Sequence, residues 1–442
     1  MKLVLSRKNN QTLTMPFNIP ISNKPRIVII GGGFAGFKFA NRIDSRTYQI
    51  VLIDKNNYFQ FQPLFYQVAM SGIEPSSICF PLRKNFRNKK DMFIRTLDIT
   101  EVDPANKVIY TDTGSLRYDV LIIATGSQTN YYGNLNFEKY TIPLKSVSEA
   151  LYLRNCILND LEQAVLSNDA KAQERLMNII IIGGGPTGVE LAGALSEMKK
   201  HILPKDYPDL DASKMQIHLI QATSRLLDSM SQKASLKAYE ELDKMGVSIH
   251  LNTKVTNIHH EQLELSNGMF LNSQKIIWAA GVVGTPIKGL EAAHNAPGRK
   301  ITVNPYCEVP IWKDVYALGD IAYMQTSKYP TGLPGLAPVA LQQASYLAKR
   351  LNKSKLKGNR VFNYWDKGSM ATIGRSKAVL QYKQLFLSGF IAWIGWLFVH
   401  IYYLIGVRNK LIVFINWLWN YIIYDQALRL NIKPKMPRTP KF

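Results

Sequence analysis

Gly31, Gly33 and Gly36 follow the apolar run Ile27-Val28-Ile29-Ile30, and Asp54 closes the next apolar run, Gln49 to Ile53. Residues of these types at this spacing bind the pyrophosphate of a dinucleotide. The first glycine makes a tight turn, the second lets backbone approach the phosphates, and the third lets helix and strand pack closely. The carboxylate accepts hydrogen bonds from a ribose hydroxyl. The pattern returns at Gly183, Gly185 and Gly188 after Ile179-Ile180-Ile181-Ile182. One position departs from it. The following strand, Gln216 to Ile220, ends at neutral Gln221, with Arg225 four residues on, which leaves both a plain ribose and a 2′-phosphorylated one acceptable.

These groups need buried strands that end at one edge. Continuous β-branched runs suit parallel strands covered on both faces. Three further strand ends carry small or acidic residues that admit a ligand: Ala124-Thr125-Gly126 after Tyr118 to Ile123, Trp278-Ala279-Ala280-Gly281, and Leu318-Gly319-Asp320. The aromatic, glutamine-rich segment Tyr58 to Ala69 reads as a wall beside a flat ligand, with Pro63 blocking a regular helix. A helix is expected from Leu144 to about Leu166, capped by Ser146 or Ser148, and another after Pro334 carrying Gln342 and Gln343. Phe362 to Arg375 reads as strand and turn. The pattern is α/β, with two Rossmann-like dinucleotide-binding domains.

The 442 residues suffice for two or three domains, and 46% hydrophobic with 19% charged residues is globular. A net charge of +22 attracts nucleic acid, anionic membranes and nucleotide phosphates alike. Its distribution discriminates. One basic cluster is Arg83, Lys84, Arg87, Lys89 and Lys90, and another includes Lys383, Arg408, Lys410, Arg429, Lys433, Lys435, Arg438 and Lys441, around an aromatic, uncharged segment. Such a segment suits lipid better than nucleic acid. Cys79, Cys156 and Cys307 are scattered and form no CxxC, which argues against a disulfide framework, a metal site or a dithiol centre and suits a reducing compartment.

In residues 384–407 only His400 can carry charge near neutral pH, and the stretch is long enough to span a bilayer, for which about 20 residues suffice. Their flanks are basic on both sides, so no orientation satisfies positive-inside at both ends. The next run, Leu411 to Tyr424, covers only roughly 21 Å as a helix. Two amphipathic helices lying in the interface, reaching an anionic lipid surface, are favoured over a span.

The chain resembles the type II NADH:quinone oxidoreductases from Lys24 to about Ile432. The likeness rests on GGGFAG (31–36), FQPLFYQVA (61–69), ATG (124–126), GGGPTGVELAG (183–193), WAAG (278–281), LGDIA (318–322), Gln342-Gln343, DKGSMATIGR (366–375) and the aromatic tail. The resemblance implies non-covalent FAD held by Gly31, Gly33, Phe34, Ala35, Gly36, Asp54, Lys55, Gln62, Ala124, Thr125, Gly126, Gly319, Asp320 and Gln342. It implies NADH, with NADPH left open, on Gly183, Gly185, Gly188, Glu190, Gln221, Ala280 and Gly281. A hydride then passes to the flavin and two electrons pass to a membrane quinone, with no metal and no proton pumping.

The residues it points to for catalysis are Glu190, which could order the nucleotide or relay a proton, with Gln342 and Lys377 on the quinone side. Pro338 stands where the family often has glutamine. Expected domains are a loose leader (1–23), an FAD domain in two parts (24–143 and 286–380), an NAD(P)H domain (144–285) and a membrane anchor with a basic tail (381–442). The resemblance further implies a homodimer peripheral to the cytoplasmic face of a bacterial inner membrane, with no nucleic-acid partner. Competing readings are a sulfide:quinone oxidoreductase, which needs a reactive cysteine pair, and a non-catalytic redox-sensing flavoprotein.

Overall fold

A computed structural model describes residues 17–352, 360–423 and 428–431. Most of the expected leader, and Lys433, Lys435, Arg438 and Lys441 of the basic tail, lie outside the described residues. In chain order the elements that bear on the site are β1 (Arg26–Ile30), α1 (Phe34–Arg42), β2 (Gln49–Asp54), α2 (Phe65–Ala69), β3 (Met92–Thr96), β4 (Val120–Ile123) and α3 (Val147–Leu166). Next come β5 (Ile179–Ile182), α4 (Pro186–His201), β6 (Ile217–Ile220), α5 (Gln232–Lys244), β7 (Val247–His250) and β8 (Lys275–Trp278). The chain closes with β9 (Val315–Ala317), α6 (Ala337–Leu351), β10 (Ser369–Gly374), β11 (Lys377–Tyr382), β12 (Leu385–Ser388), α7 (Phe390–Tyr403) and α8 (Val407–Ile423). The chain forms two compact units, one made of the segment up to Phe59, Pro81–Gln128 and Val283–Asp366, the other of Gln60–Phe80, Thr129–Val282 and the chain from Lys367 on.

The first unit is built on a parallel sheet in the order β9-β4-β1-β2-β3. β1 is central, pairing Ile27 with Ile50 on one side and with Val120 on the other. Ile27 to Ile30 are all buried, which is why an unbroken β-branched run, and not an alternating one, was needed there. α1 packs on α6. Lys89 does not add to a free basic surface: its Nζ donates to the Ala40 and Ile43 carbonyls at 2.5 and 2.6 Å, capping the end of α1.

The second unit repeats the plan, with Ile142–Pro143, β8, β5, β6 and β7 side by side and parallel. Ser146, not Ser148, caps α3, in a capping box with Glu149. Pro63 starts a helix where blocking was expected. It occupies the first turn of a 3-10 segment, Gln62–Leu64, that runs into α2, a place where its missing N–H costs nothing. A small antiparallel sheet, β10-β11-β12, packs on α4 through β10.

The uncharged tail is not one long helix. Leu385–Ser388 is a strand, Gly389 turns the chain at a φ of 72°, and α7 has 14 residues before a break leads to α8 with 17. At about 1.5 Å per residue these reach roughly 21 and 25 Å, short of the about 30 Å of a hydrocarbon core. Among the described residues no helix is long and apolar enough to cross a membrane. Nor is α7 amphipathic in the expected sense. Phe390, Ile391, Ile394 and Phe398 face outward, while His400 turns inward.

Candidate active site

In the first unit three glycines divide the labour. A Cβ on Gly31 would lie 2.3 Å from the Ala124 carbonyl oxygen, and one on Gly36 would lie 1.8 Å from that of Gly31, so β1, β4 and α1 meet backbone to backbone. Gly33, in contrast, faces open space and caps α1 without a side chain, which leaves helix N–H groups for an anion. Asp54 accepts hydrogen bonds from Gly32 N at 2.6 Å and Asn56 N at 2.7 Å. Burial raises its pKa, and those two bonds oppose the rise.

Thr125 Oγ1 is buried beside the turn with no protein partner. Ser127 donates to Asp320 at 2.9 Å, and Gly319 N donates to Gln343 Oε1 at 2.8 Å. An open glycine cradle, an orphaned hydroxyl and two carboxylates at strand ends fit an FAD-type dinucleotide. Ala35 packs under Gly319, Phe34 meets Phe59 edge-on at 5.2 Å, and Lys55 is exposed next to Asp54.

Gln342 is committed elsewhere. Its amide clamps the Trp365 backbone, donating to the carbonyl at 2.9 Å and accepting from the N–H at 3.0 Å. Gln343, 1% exposed, is the glutamine that reaches the Gly319 turn. The pair was legible, but which of the two faced inward was not. Gln62 belongs to the second unit and is exposed.

The second glycine turn has the same geometry. A Cβ on Gly183 would lie 2.7 Å from the Ala279 carbonyl, one on Gly188 would lie 1.9 Å from the Gly183 carbonyl oxygen, and Gly185 is open. Gln221 Oε1 accepts from Gly184 N at 2.7 Å, and its Nε2 donates to Thr223 Oγ1 at 2.6 Å. It thus occupies the position that Asp54 holds in the first fold, without the charge. Arg225 donates to the Asp228 carbonyl at 2.6 Å. The Trp278 indole donates to the Asn130 and Ala280 carbonyls at 2.9 and 3.0 Å, holding the Ala280-Gly281 corner.

Within this second unit a cavity of about 140 Å³ runs between α4, α2, β10 and the two C-terminal helices. Trp393, Trp396, Leu397, Trp417 and Tyr421 supply its apolar wall, and Tyr66, Thr372, Glu190 and Glu197 its polar one. Burial pushes the Glu190 carboxyl up to about 8, against a smaller opposing contribution from the Thr372 N–H at 3.3 Å. It is therefore a neutral acid at pH 7. Tyr66 is held protonated first by burial and then by the nearby Glu190. A chain of hydrogen bonds lines the wall: Tyr66 with Thr372 at 3.0 Å, Gln67 to Tyr66 at 2.9 Å, and Trp417 to Gln67 at 2.7 Å. Trp396 Nε1 is buried without a well-formed partner, and His400 stacks on that indole at 3.8 Å as a neutral imidazole, its pKa lowered by burial to about 4.

Glu190 was expected at a site and lines this cavity. Lys377 does not line it, and pairs with Glu241 of α5 at 2.8 Å. Arg429, expected at lipid, is paired with Asp206. Sequence reasoning missed Tyr66, Thr372, Glu197 and Trp396. The signal for Glu197 was its place two turns after Glu190. The three cysteines are free, and burial raises each thiol, that of Cys79 to about 12. None is disposed to act as a thiolate.

Comparison with known proteins gives a consistent result. Residues 25–344 match the Pyridine nucleotide-disulphide oxidoreductase family, and residues 366–423 match the NDH2 C-terminal domain. The chain is 33% identical to the type II NADH:quinone oxidoreductase Ndh of Mycobacterium tuberculosis, over 91% of this chain and 90% of that protein. It is 28% identical to the mitochondrial internal alternative NAD(P)H-ubiquinone oxidoreductase A1 of Solanum tuberosum, over 92% and 88%. In fold it is similar to NDH2 from Plasmodium falciparum solved in complex with NADH, with a TM-score of 0.84 at 23% identity over 93% of this chain and all of that one. The sulfide:quinone oxidoreductase of Aquifex aeolicus is also similar in fold, with a TM-score of 0.66 at 18% identity over 91% and 96%.

Proposed function

The chain belongs to the type II NADH:quinone oxidoreductases, within the pyridine nucleotide-disulphide oxidoreductase family, and from that membership we propose how its residues divide the reaction. The enzyme transfers electrons from NADH by way of FAD to a quinone. FAD, when bound, accepts a hydride and passes on two electrons. The first unit holds FAD through the Gly31–Gly36 turn, Asp54, the Ala124–Gly126 corner and the Gly319–Asp320 turn. The second unit holds the nicotinamide nucleotide on the Gly183–Gly188 turn, with Gln221 at the ribose and Ala280-Gly281 beside it.

The observation that carries the quinone assignment is the cavity in which a neutral Glu190 faces the indoles of Trp396 and Trp417. A flat, apolar ring stacks on such walls, and a protonated carboxyl beside it supplies a proton to an oxygen that gains charge. Thr372 and Tyr66 orient that acid. The outward apolar faces of α7 and α8 rest in a membrane surface, with exposed Lys383 and Arg408 at anionic head groups. Family resemblance supports a homodimer on the cytoplasmic face of a bacterial membrane, which light scattering and protease access in inverted vesicles test.

Purified protein given NADH or NADPH with benzoquinone, naphthoquinone or sulfide tests the reading. Quinone-dependent oxidation of NADH without sulfide turnover is expected. Bleaching of bound flavin by NADH with no quinone turnover would remove the quinone assignment.

A further inference from the structure

Glu190, Ala194, Glu197 and His201 stand at i, i+4, i+7 and i+11 of α4, so they form one stripe along that helix, and all four line the cavity. The facing strand is in register with them. Gly193 lets β10 lie against the α4 backbone, the Thr372 N–H donates to Glu190, and the Arg375 N–H donates to Glu197. Two carboxyl groups are thereby held about 10 Å apart along the helix axis, each by one backbone N–H. Both keep partial accessible surface, and His201, at the end of the helix, is partly exposed. At roughly 30 Å³ per water the cavity of about 140 Å³ holds on the order of five molecules, and bridging about 10 Å takes three or four hydrogen bonds of about 2.8 Å, so two or three waters suffice.

The chemistry needs such a route. Oxidation of NADH by a quinone balances as NADH + H⁺ + quinone → NAD⁺ + quinol. The hydride accounts for both electrons and one proton, and the second proton on the quinol comes from water. A buried acid that gives up its proton must be recharged before the next turnover. We propose that His201 and Glu197, with the water between them, form the proton-uptake route from solvent to Glu190. The inference rests on the reading of the cavity as the quinone site.

The surrounding charges favour exchange along this line. Burial raises the Glu197 carboxyl, against Arg375 and Lys377 from the β10–β11 turn. The His201 imidazole is lowered by burial and then by Lys200, Arg375 and Lys205. Acid and base therefore move toward one another in proton affinity, which lowers the cost of handing a proton across. Among the described residues, further titratable neighbours are Tyr66 of α2, Tyr421 of α8, His400, which stacks on Trp396, and Glu241 of α5, which is bound to Lys377.

The test compares wild type with Glu197→Gln, Glu197→Asp and His201→Gln. In resting protein mixed into D2O, the infrared band of the protonated Glu190 carboxyl should shift more slowly in Glu197→Gln and His201→Gln than in wild type. Steady-state quinone reduction should fall about tenfold in Glu197→Gln, with the KM for NADH unchanged and a larger solvent isotope effect. Glu197→Asp should recover most of the rate, and azide, a small proton carrier, should partly rescue Glu197→Gln. Wild-type exchange and isotope effects in both Gln variants would overturn the proposal, as would a loss that azide and Glu197→Asp leave unrepaired. Absence of quinone turnover in wild type itself would instead overturn the reading underneath.

Discussion

Gly193 of α4 sits so close beneath the Ile373 carbonyl that a Cβ on it would come within 1.7 Å of that oxygen. This contact sets the register of β10 on the helix, and with it the two N–H groups that meet Glu190 and Glu197. Gly193→Ala must push strand and helix apart. Overpacking of this kind costs about 1–3 kcal/mol, so the melting temperature should fall by several degrees and quinone turnover should fall with it, while NADH binding to the more distant glycine turn persists. Scanning calorimetry and nucleotide titration of the same variant check both halves.

Glu190 should make the protein less stable as pH rises. An ordinary glutamate titrates near 4.5, and burial moves this one to about 8. Between those values the native state holds a proton that the unfolded chain releases. The contribution is therefore fully present below about pH 4.5 and is lost as pH climbs through 8. Glu190→Gln stays neutral throughout. It should match wild type near pH 5 and exceed it near pH 9 by on the order of 2 kcal/mol, a figure reduced from the full shift because the side chain keeps some solvent contact. Denaturant titrations at the two pH values measure it. Quinone turnover in this variant should drop about a hundredfold and lose its decline above pH 8.

Gln221 should govern the choice of nucleotide. Its side chain already accepts from Gly184 N at 2.7 Å, so Gln221→Glu preserves the shape and adds a charge where a 2′-phosphate would lie. The ratio of kcat/KM for NADPH to that for NADH should fall by at least about tenfold, which is about 1.4 kcal/mol of discrimination. An unchanged ratio would move the nucleotide specificity away from this strand end.

Phe398 and Ile422 are 72% and 66% exposed on α7 and α8, an apolar exposure that the lipid attachment proposed above would cover. Replacing both with lysine should weaken partition into neutral-lipid vesicles by at least about tenfold, since burying each side chain contributes about 1.5–3 kcal/mol. The melting temperature should be unaffected, because neither residue packs inside. Vesicle co-sedimentation with undiminished binding would show that some other surface carries the attachment.

Both nucleotide folds are legible in the sequence because each depends on local chemistry. The Ile27–Ile30 and Ile179–Ile182 runs each lie with their glycines in one strand–turn–helix passage, and Asp54 closes the very next strand, so spacing dictates geometry. The neutral Gln221 was visible for the same reason. The tail was read only in part. Its lack of charge was plain, but the strand at Leu385–Ser388 and the positive φ at Gly389 were hidden by a hydrophobicity that strand and helix share.

Where a side chain's role depends on long-range contacts, composition and spacing were silent. Gln342 and Gln343 differ by one residue, and only helix packing decides that the first clamps Trp365 while the second reaches Gly319. Lys377 looked available until Glu241 came to meet it from more than a hundred residues away. Glu190 could be singled out by its motif. That it stays protonated follows from burial among groups drawn from α2, β10 and the C-terminal helices, a desolvation that only the assembled tertiary structure imposes.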